Sequence, residues 1–217
     1  MKNDKLRPNV LGVRIISNVN AELAKRLELG PRHKSLGIIT ADTDDVTYTA
    51  LDEATKAADV DVVYAKSFYA GAANASTKLA GEVIGILGGP SPDEVKSGLN
   101  AALDFMATGA TFVSANEDDS IVYYAHTVSR TGTYLSKVAG VAEGEPLAYL
   151  IAPPLESIYG LDAAMKAADV KLVEFFGPPS ETNFGGGLLT GSQSACNAAC
   201  SAFAEAVRSV ASNPQEF

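Results

Sequence analysis

The segment LDEATKAADVDVV at residues 51–63 recurs without a gap as LDAAMKAADVKLV at residues 161–173. Nine of the thirteen positions are identical, and a repeat of this kind marks a duplicated structural unit. The chain of 217 residues therefore divides into two copies of one module rather than one large core. We place the two domains at residues 1–110 and 111–217.

Hydrophobic periodicity predicts the same order of elements in each copy: a short apolar strand, an Ala-rich helix, an alternating strand, a further strand and a closing helix. The predicted strands are 36–40, 59–65 and 82–87 in the first copy, and 147–151, 169–175 and 188–190 in the second. The first helices are predicted at about 46–58 and 157–168, and the closing helices after Ser91 and from about Ser192. Strand-forming sequence also occurs at 10–16 and 121–128. The predicted fold class is α/β, of the α+β type.

The charge of the chain excludes several classes of protein. With 17 Lys and Arg against 26 Asp and Glu, the net charge is −9, and the basic residues are scattered singly. Nucleic acid, which needs a basic surface, is therefore not an expected partner. We find no signal-peptide core and no apolar run of about 20 residues, so a soluble intracellular protein without membrane contact is expected.

The sequence DAAMKAADVKLVEFF at residues 162–176 resembles the signature of bacterial microcompartment (BMC) shell domains. Two such domains behind a long lead strand resemble the circularly permuted double-domain shell proteins. Four further segments resemble the ethanolamine-utilisation members of that family, and these are 41–56, 148–156, 178–183 and 189–200. The resemblance implies two tandem circularly permuted BMC-type domains with a ferredoxin-like fold.

The same resemblance implies a function. It predicts a non-enzymatic structural protein that forms a homotrimer, or pseudohexamer, and tiles the shell of an ethanolamine-utilisation microcompartment in the bacterial cytoplasm beside other shell proteins. It also predicts a gated central pore, and small subunit pores that bind or transport ethanolamine or other small molecules. No cofactor is expected.

A site for ethanolamine needs a carboxylate for the ammonium group and neutral hydrogen-bonding groups for the hydroxyl. By resemblance we assign the ammonium to Asp45 and the remaining contacts to Thr182 and Asn183, with Phe112 as an aromatic face for the cation. Glu82 and Glu181 are weaker candidates. The alternatives are helix capping by Asp44 or Asp45, ordinary loop hydrogen bonds, and core packing of Phe112.

The segments 70–81 and 182–189 precede the last strand of each copy and are predicted to be pore loops. The residues singled out there are Ala73, Asn74, Phe184, Gly185, Gly186 and Gly187. Glycine tolerates the backbone changes that opening and closing demand, whereas a phosphate site would need a helix to follow the glycines. A plain flexible turn is the alternative.

Metal and catalytic interpretations are weaker. Asp42, Asp44 and Glu53 have the spacing of a calcium loop, but Thr47 stands where that loop needs glycine. Cys196 and Cys200 are four residues apart on one helical face and are predicted to be buried as small apolar residues. No nucleophile, base and orienting residue form a recognisable set. The alternative function is a soluble sensor or regulatory domain that binds an amine; an enzyme acting on ethanolamine is disfavoured.

Overall fold

The computed structural model describes residues 4–67, 83–178, 180 and 183–215. In chain order, its elements are β1 (Lys5–Leu6), β2 (Val10–Ile16), α1 (Ala21–Arg26), β3 (Ser35–Ala41), α2 (Asp44–Ala57), β4 (Asp61–Ser67), β5 (Val83–Gly89), α3 (Pro92–Thr108), β6 (Phe112–Ser114), β7 (Val122–Val128), α4 (Thr133–Ala139), β8 (Leu147–Ala152), α5 (Pro154–Ala167), β9 (Val170–Phe176), β10 (Gly185–Gly191) and α6 (Gln193–Ser212).

The chain forms two compact units. The N unit consists of Pro8–Ala110 and Gly132–Leu135, and the C unit consists of Met1–Arg7, Thr111–Thr131 and Ser136–Phe217. Two short segments, 1–7 and 132–135, thus group with residues distant in sequence. The predicted domains 1–110 and 111–217 differ from these units, because they assign residues 1–7 to the first domain and residues 132–135 to the second.

In the N unit, the described strands form an antiparallel sheet in the order β2-β3-β5-β4. Strands β3 and β5 are central and mostly buried, as their apolar sequences require. Helices α2 and α3 pack against each other and contact the sheet. On α3, Val95, Leu99, Ala102 and Met106 are buried, and Leu103 is half-buried.

In the C unit, the described strands form an antiparallel sheet in the order β1-β6-β7-β8-β10-β9. Helix α6 supplies Cys196, Cys200, Phe203 and Val207 to a core that also contains Leu161 of α5. Ser192 is the N-cap residue of α6, and its hydroxyl accepts a hydrogen bond from the backbone N–H of Ala195 at 3.1 Å. The predicted burial of both cysteines is confirmed.

The largest difference from the predicted strands is at β10, which begins at Gly185 rather than at residue 188. Its glycines lie between β8 and β9 in the sheet. Gly186 has φ +154°, and a Cβ there would meet the backbone oxygen of Leu150 at 1.9 Å. Glycine is a poor strand former by propensity, but this close approach of β8 leaves no room for a side chain. The predicted glycine loop is therefore wrong for residues 185–187, which are strand.

Elements missing from the prediction are the two-residue strand β1, the three-residue strand β6 and the short helices α1 and α4. All are too short to show a periodic pattern. Across the described ranges, no helix is long and apolar enough to span a membrane.

Candidate functional site

Two buried carboxylates stand at the start of α2. Asp44 and Asp45 are 4% and 6% exposed, respectively. The N-cap residue is Thr43, whose side chain makes no cap hydrogen bond and donates instead to Oδ1 of Asp42 at 3.0 Å. Oδ1 of Asp44 accepts the backbone N–H of Asp45 at 2.9 Å. Neither aspartate is the N-cap residue, so the alternative of helix capping does not account for their burial.

These carboxylates belong to a polar network, which we call the acidic cluster: Asp44, Asp45, Tyr48, Ser67 and Tyr134, all in the N unit. The side chain of Asp44 is hydrogen-bonded to those of Asp45 and Ser67. The Ser67 hydroxyl also pairs with the Tyr48 hydroxyl at 2.9 Å. The ring of Tyr134 lies 6.2 Å from that of Tyr48, measured between centroids.

Burial dominates the electrostatics of the acidic cluster. It raises the pKa of Asp44 to about 6, even though hydrogen bonds from Asp45 and Ser67 act in the opposite direction. Burial also raises the pKa values of Tyr48 and Tyr134, and the negative charge of Asp45 adds to the shift of both. The two tyrosines therefore stay neutral, and the charge that appears as pH rises resides on the carboxylates.

This arrangement suits a small organic cation. Buried carboxylates are costly unless a positive charge compensates them, and neutral aromatic rings attract a cation through their faces. Asp45 was the predicted ammonium ligand. Tyr48 could have been added from sequence, because it follows Asp44 and Asp45 at helical spacings of four and three. Tyr134 gave no such signal, since it reaches the cluster from 86 positions beyond Tyr48.

Phe112 and Phe184, both predicted site residues, meet in the C unit. Their rings are stacked with centroids 6.0 Å apart, and Tyr124 lies 5.5 Å from Phe112 on a tilted plane. Phe112 is buried. The row continues through Tyr149 to Phe176. The burial of Phe112 against Tyr124 and Phe184 agrees with the alternative that its ring packs in the core.

Asn183 lies in a tight turn just before β10. Its φ of +66° is in the left-handed region, which asparagine tolerates better than most residues. Its backbone N–H donates to the carbonyl of Ser180 at 3.4 Å, and the N–H of Ser180 donates to the carbonyl of Phe184 at 3.0 Å. The turn thus fixes the backbone at Asn183 while its side chain is only partly buried.

Five predicted site or pore residues lie outside the described residues: Ala73, Asn74, Glu82, Glu181 and Thr182. Within the described ranges, no group of three or more His, Cys, Asp or Glu side chains could hold a metal ion. A pocket of about 560 Å³ lies beside α1, but Lys25, His33 and Lys34 in its lining suit an ammonium ion poorly.

Comparison with known proteins agrees with this architecture. The model of the BMC domain matches residues 35–117. The shell protein EutL of Clostridium perfringens is 77% identical over 217 residues, which is the full length of both chains. EutL of Salmonella typhimurium is 56% identical over 211 residues, covering 97% of this chain and 96% of the relative.

Solved structures show the same likeness. The monoclinic crystal structure of the C. perfringens EutL superimposes with a TM-score of 0.96 over 100% of this chain and 99% of the other. The crystal structure of the ethanolamine utilization protein EutL from Leptotrichia buccalis, 71% identical, also gives 0.96 over 100% of both chains. A trimeric shell protein PduB, at 21% identity and a TM-score of 0.80 over 94% of this chain and 89% of its own, shows the fold alone.

Fold and family model together define the class: a bacterial microcompartment shell protein built from tandem permuted BMC domains. Within that class, the chain belongs to the EutL family of shell proteins. The predicted family, fold class and location in a microcompartment shell are thereby confirmed.

Proposed function

We propose that the chain forms a homotrimer that tiles the shell of an ethanolamine-utilisation microcompartment together with other shell proteins. Its subunit pores bind ethanolamine, and a gated central pore admits larger solutes. Family membership supports the shell role, and the name of the L. buccalis structure supports ethanolamine as the substrate of the system. The trimer draws support from the description of PduB as trimeric. The named relatives are shell proteins, which supports a non-catalytic role.

The observation that carries the ligand proposal is the acidic cluster. A single protonated amine is small enough to contact one carboxylate of Asp44 and Asp45. Its positive charge would stabilise the ionised form of Asp44, which burial disfavours. Asp45 is assigned to the ammonium group. The proposed site further includes Thr182 and Asn183 for the hydroxyl and Phe112 as an aromatic neighbour, with Glu82 and Glu181 as lesser contributors.

The first test is calorimetric titration of ethanolamine into the wild type and Asp45→Asn. Asparagine keeps the size of the side chain and removes its charge, so we expect binding to weaken by at least about tenfold, or about 1.4 kcal/mol. Asp104→Asn is the matched control, because it removes the same charge from an exposed position on α3. Equal affinities for the wild type and Asp45→Asn would contradict the assignment.

A second ligand separates the contacts to the hydroxyl from those to the ammonium. Ethylamine keeps the ammonium group and lacks the hydroxyl. Thr182→Val should weaken binding of ethanolamine but not of ethylamine, whereas Asp45→Asn should weaken both. If Thr182→Val weakened the two ligands equally, Thr182 would not be the partner of the hydroxyl.

Gating follows from linkage, because a ligand shifts an equilibrium only by its difference in affinity for the two states. We propose that ethanolamine favours the closed central pore. The support is the pair of backbone hydrogen bonds that join Ser180 to Asn183 and Phe184 just before the glycines of β10, so a ligand held by Asn183 restrains that segment. Electron microscopy of the trimer with and without ethanolamine tests this, and a larger open fraction with the ligand would contradict it.

Assembly separates the shell tile from the alternative amine sensor. A tile forms extended two-dimensional sheets of trimers at high concentration, which negative-stain images reveal. A protein that binds ethanolamine and stays a dispersed monomer or dimer would support the sensor instead. Consumption of ethanolamine in an NMR time course would overturn the non-catalytic assignment.

A further inference from the structure

The acidic cluster contains a hydrogen bond that requires a proton. The side chain of Asp44 is hydrogen-bonded to that of Asp45, and we call these two residues the aspartate pair. An ionised carboxylate has only acceptor oxygens, so two of them cannot hydrogen-bond to each other. One carboxyl group of the pair must therefore carry a hydrogen. Both residues are buried, and there one shared proton is less costly than two negative charges side by side.

The other hydrogen bonds of the cluster also suit the pair without this proton. Oδ1 of Asp44 accepts the backbone N–H of Asp45 at 2.9 Å. The Ser67 hydroxyl contacts the side chain of Asp44 and lies 2.9 Å from the Tyr48 hydroxyl. When Asp44 is ionised, Ser67 donates its one hydrogen to the carboxylate and accepts the hydrogen of Tyr48. The pair can therefore lose its proton without leaving the Asp44 carboxylate unpaired.

The groups that face the aspartate pair come from three elements. Tyr48 lies one turn further along α2, Ser67 ends β4, and Tyr134 lies in α4. Both tyrosines stay neutral because burial raises their pKa values, and Asp52 adds negative charge near Tyr134. Strand β5 and helix α3 also contact α2, and β5 has no titratable side chain. The charged residues of α3 are exposed or half-buried, and these are Asp93, Glu94, Lys96 and Asp104.

We propose that binding of ethanolamine at Asp45 releases the proton shared by the aspartate pair, so that occupancy of the site depends on pH. This inference rests on the ethanolamine site of the proposed function. The ligand binds as the ammonium ion, and its N–H groups replace the shared hydrogen as the donors to the carboxylates. The proton passes to the solvent. The protonated pair has one negative charge and the bound complex has one, so the positive charge brought by the ligand leaves with the proton.

The reason for the release is electrostatic. Burial raises the pKa of Asp44 to about 6, so the free pair holds its proton below that pH. A positive charge within about 4–6 Å favours the ionised form of a carboxyl group. The occupied site therefore keeps its proton only at lower pH than the free site does. Between these two pH ranges the proton and the ligand compete, and affinity rises with pH in proportion to the protons released.

Calorimetric titration of ethanolamine in two buffers that differ in ionisation enthalpy, such as acetate and MES at pH 5.5, counts the protons. We expect at least about 0.5 proton released per ligand at pH 5.5 and fewer than about 0.1 at pH 7.5. The affinity should rise about threefold or more between these pH values. The ammonium group of the ligand stays protonated throughout, since amines ionise near pH ~10.

The outcomes of this titration separate the two proposals. A wild type that binds ethanolamine with the same heat in both buffers at pH 5.5, and with an affinity independent of pH, would overturn the linkage and leave the ligand assignment standing. A wild type that binds no ethanolamine at either pH would overturn the assignment and the linkage together.

Asp44→Asn tests which carboxyl group supplies the proton. The amide N–H of asparagine can donate to Asp45 as a protonated Asp44 does, but it cannot be released. We expect this variant to bind ethanolamine with the same affinity at pH 5.5 and 7.5 and to release fewer than about 0.1 proton. Asp104→Asn, which removes an exposed charge, should keep the pH dependence of the wild type. A dependence that persists in Asp44→Asn would contradict the proposal.

Ser67→Ala shifts the pH of release instead of abolishing it. The Ser67 hydroxyl lowers the pKa of Asp44 by donating to its ionised form, so its loss lets the pair hold the proton to higher pH. We expect the half-maximal release of protons to move to higher pH than in the wild type. Ser97→Ala, an exposed position on α3, is the matched control. An unchanged midpoint in Ser67→Ala would overturn the assignment of the proton to this network.

Discussion

Asp52 and Asp162 are the same residue at the same position of a repeated helix, but their environments are opposite. Asp52 has no exposed surface and holds two backbone N–H groups, whereas the side chain of Asp162 is 57% exposed and pairs with Lys166 at 2.6 Å. The difference comes from the segment packed on the helix, not from the helix. Duplicated sequence therefore conserves the backbone module, while the neighbouring segment decides which of its side chains have structural roles.

Gly186→Ala gives the largest expected effect in the comparison of modules. Strand β10 has Gly186 where the equally long β5 has Ile84. A Cβ at Gly186 would clash with the Leu150 backbone and strain a positive φ, so we expect a loss of at least about 4 kcal/mol. The half-buried Ile84→Ala should lose about 1–2 kcal/mol. Urea unfolding measures both, and equal losses would show that β8 can move away from residue 186.

Asp52→Ala comes next. It leaves the buried N–H groups of Gly132 and Leu135 without their acceptor, which costs about 3 kcal/mol. Asp162→Ala should cost less than about 1 kcal/mol in dilute single chains, because an exposed ion pair contributes little. Thermal unfolding of the two variants measures the difference. A tolerated Asp52→Ala would mean that the 132–135 segment does not depend on this carboxylate.

Asp44→Asn tests the role of ionisation at the start of α2. The corresponding first residue of α5 is Pro154, which has no titratable group. An unfolded aspartate ionises near pH 3.8 and folded Asp44 near 6, so the folded state binds more protons between these values. The free energy of unfolding of the wild type therefore falls as pH rises through that window. Asp44→Asn escapes this loss and should be more stable by about 1–3 kcal/mol at pH 7, with no gain at pH 4.

Chemical denaturation of the wild type and Asp44→Asn from pH 4 to 8 measures this gain in the free energy of unfolding. Asp104→Asn controls for the change in net charge and should stay within about 0.5 kcal/mol of the wild type at both ends. A gain that is independent of pH would show that ionisation of Asp44 is not its source.

Cys196→Val gives the smallest expected effect. Helices α3 and α6 start at residues 92 and 193, so Val95 and Leu99 correspond to Cys196 and Cys200, and all four are buried. Burial raises the pKa of Cys200 to about 11, so neither packing nor acidity suggests a reactive thiol. We expect Cys196→Val to change stability by less than about 1.5 kcal/mol, and Cys196→Ser, which buries a hydroxyl, to cost more.

The sequence predicted most long elements because their patterns are local. The predicted strand 10–16 has the bounds of β2, and the predicted helices 46–58 and 157–168 lie within about three residues of the bounds of α2 and α5. Asp45 followed from family resemblance. Tyr134 could not be predicted, because its position beside Tyr48 depends on where a distant four-residue segment packs. Gly185–Gly187 were misplaced because propensity disfavours a strand that only tertiary packing requires.

The two-residue strand β1 has a consequence for synthesis. Lys5 and Leu6 pair with Val113 and Phe112, and the hydroxyl of Thr111 donates to the carbonyl of Leu6. Strand β1 must therefore wait until more than a hundred further residues have been made before it can pair with β6. Closing so long a loop costs several kcal/mol of chain entropy, about (3/2)RT ln n plus a constant. If Pro8–Ala110 has already condensed, the distance to be closed is shorter. Strand β1 is thus made before its partner β6 and incorporated after it.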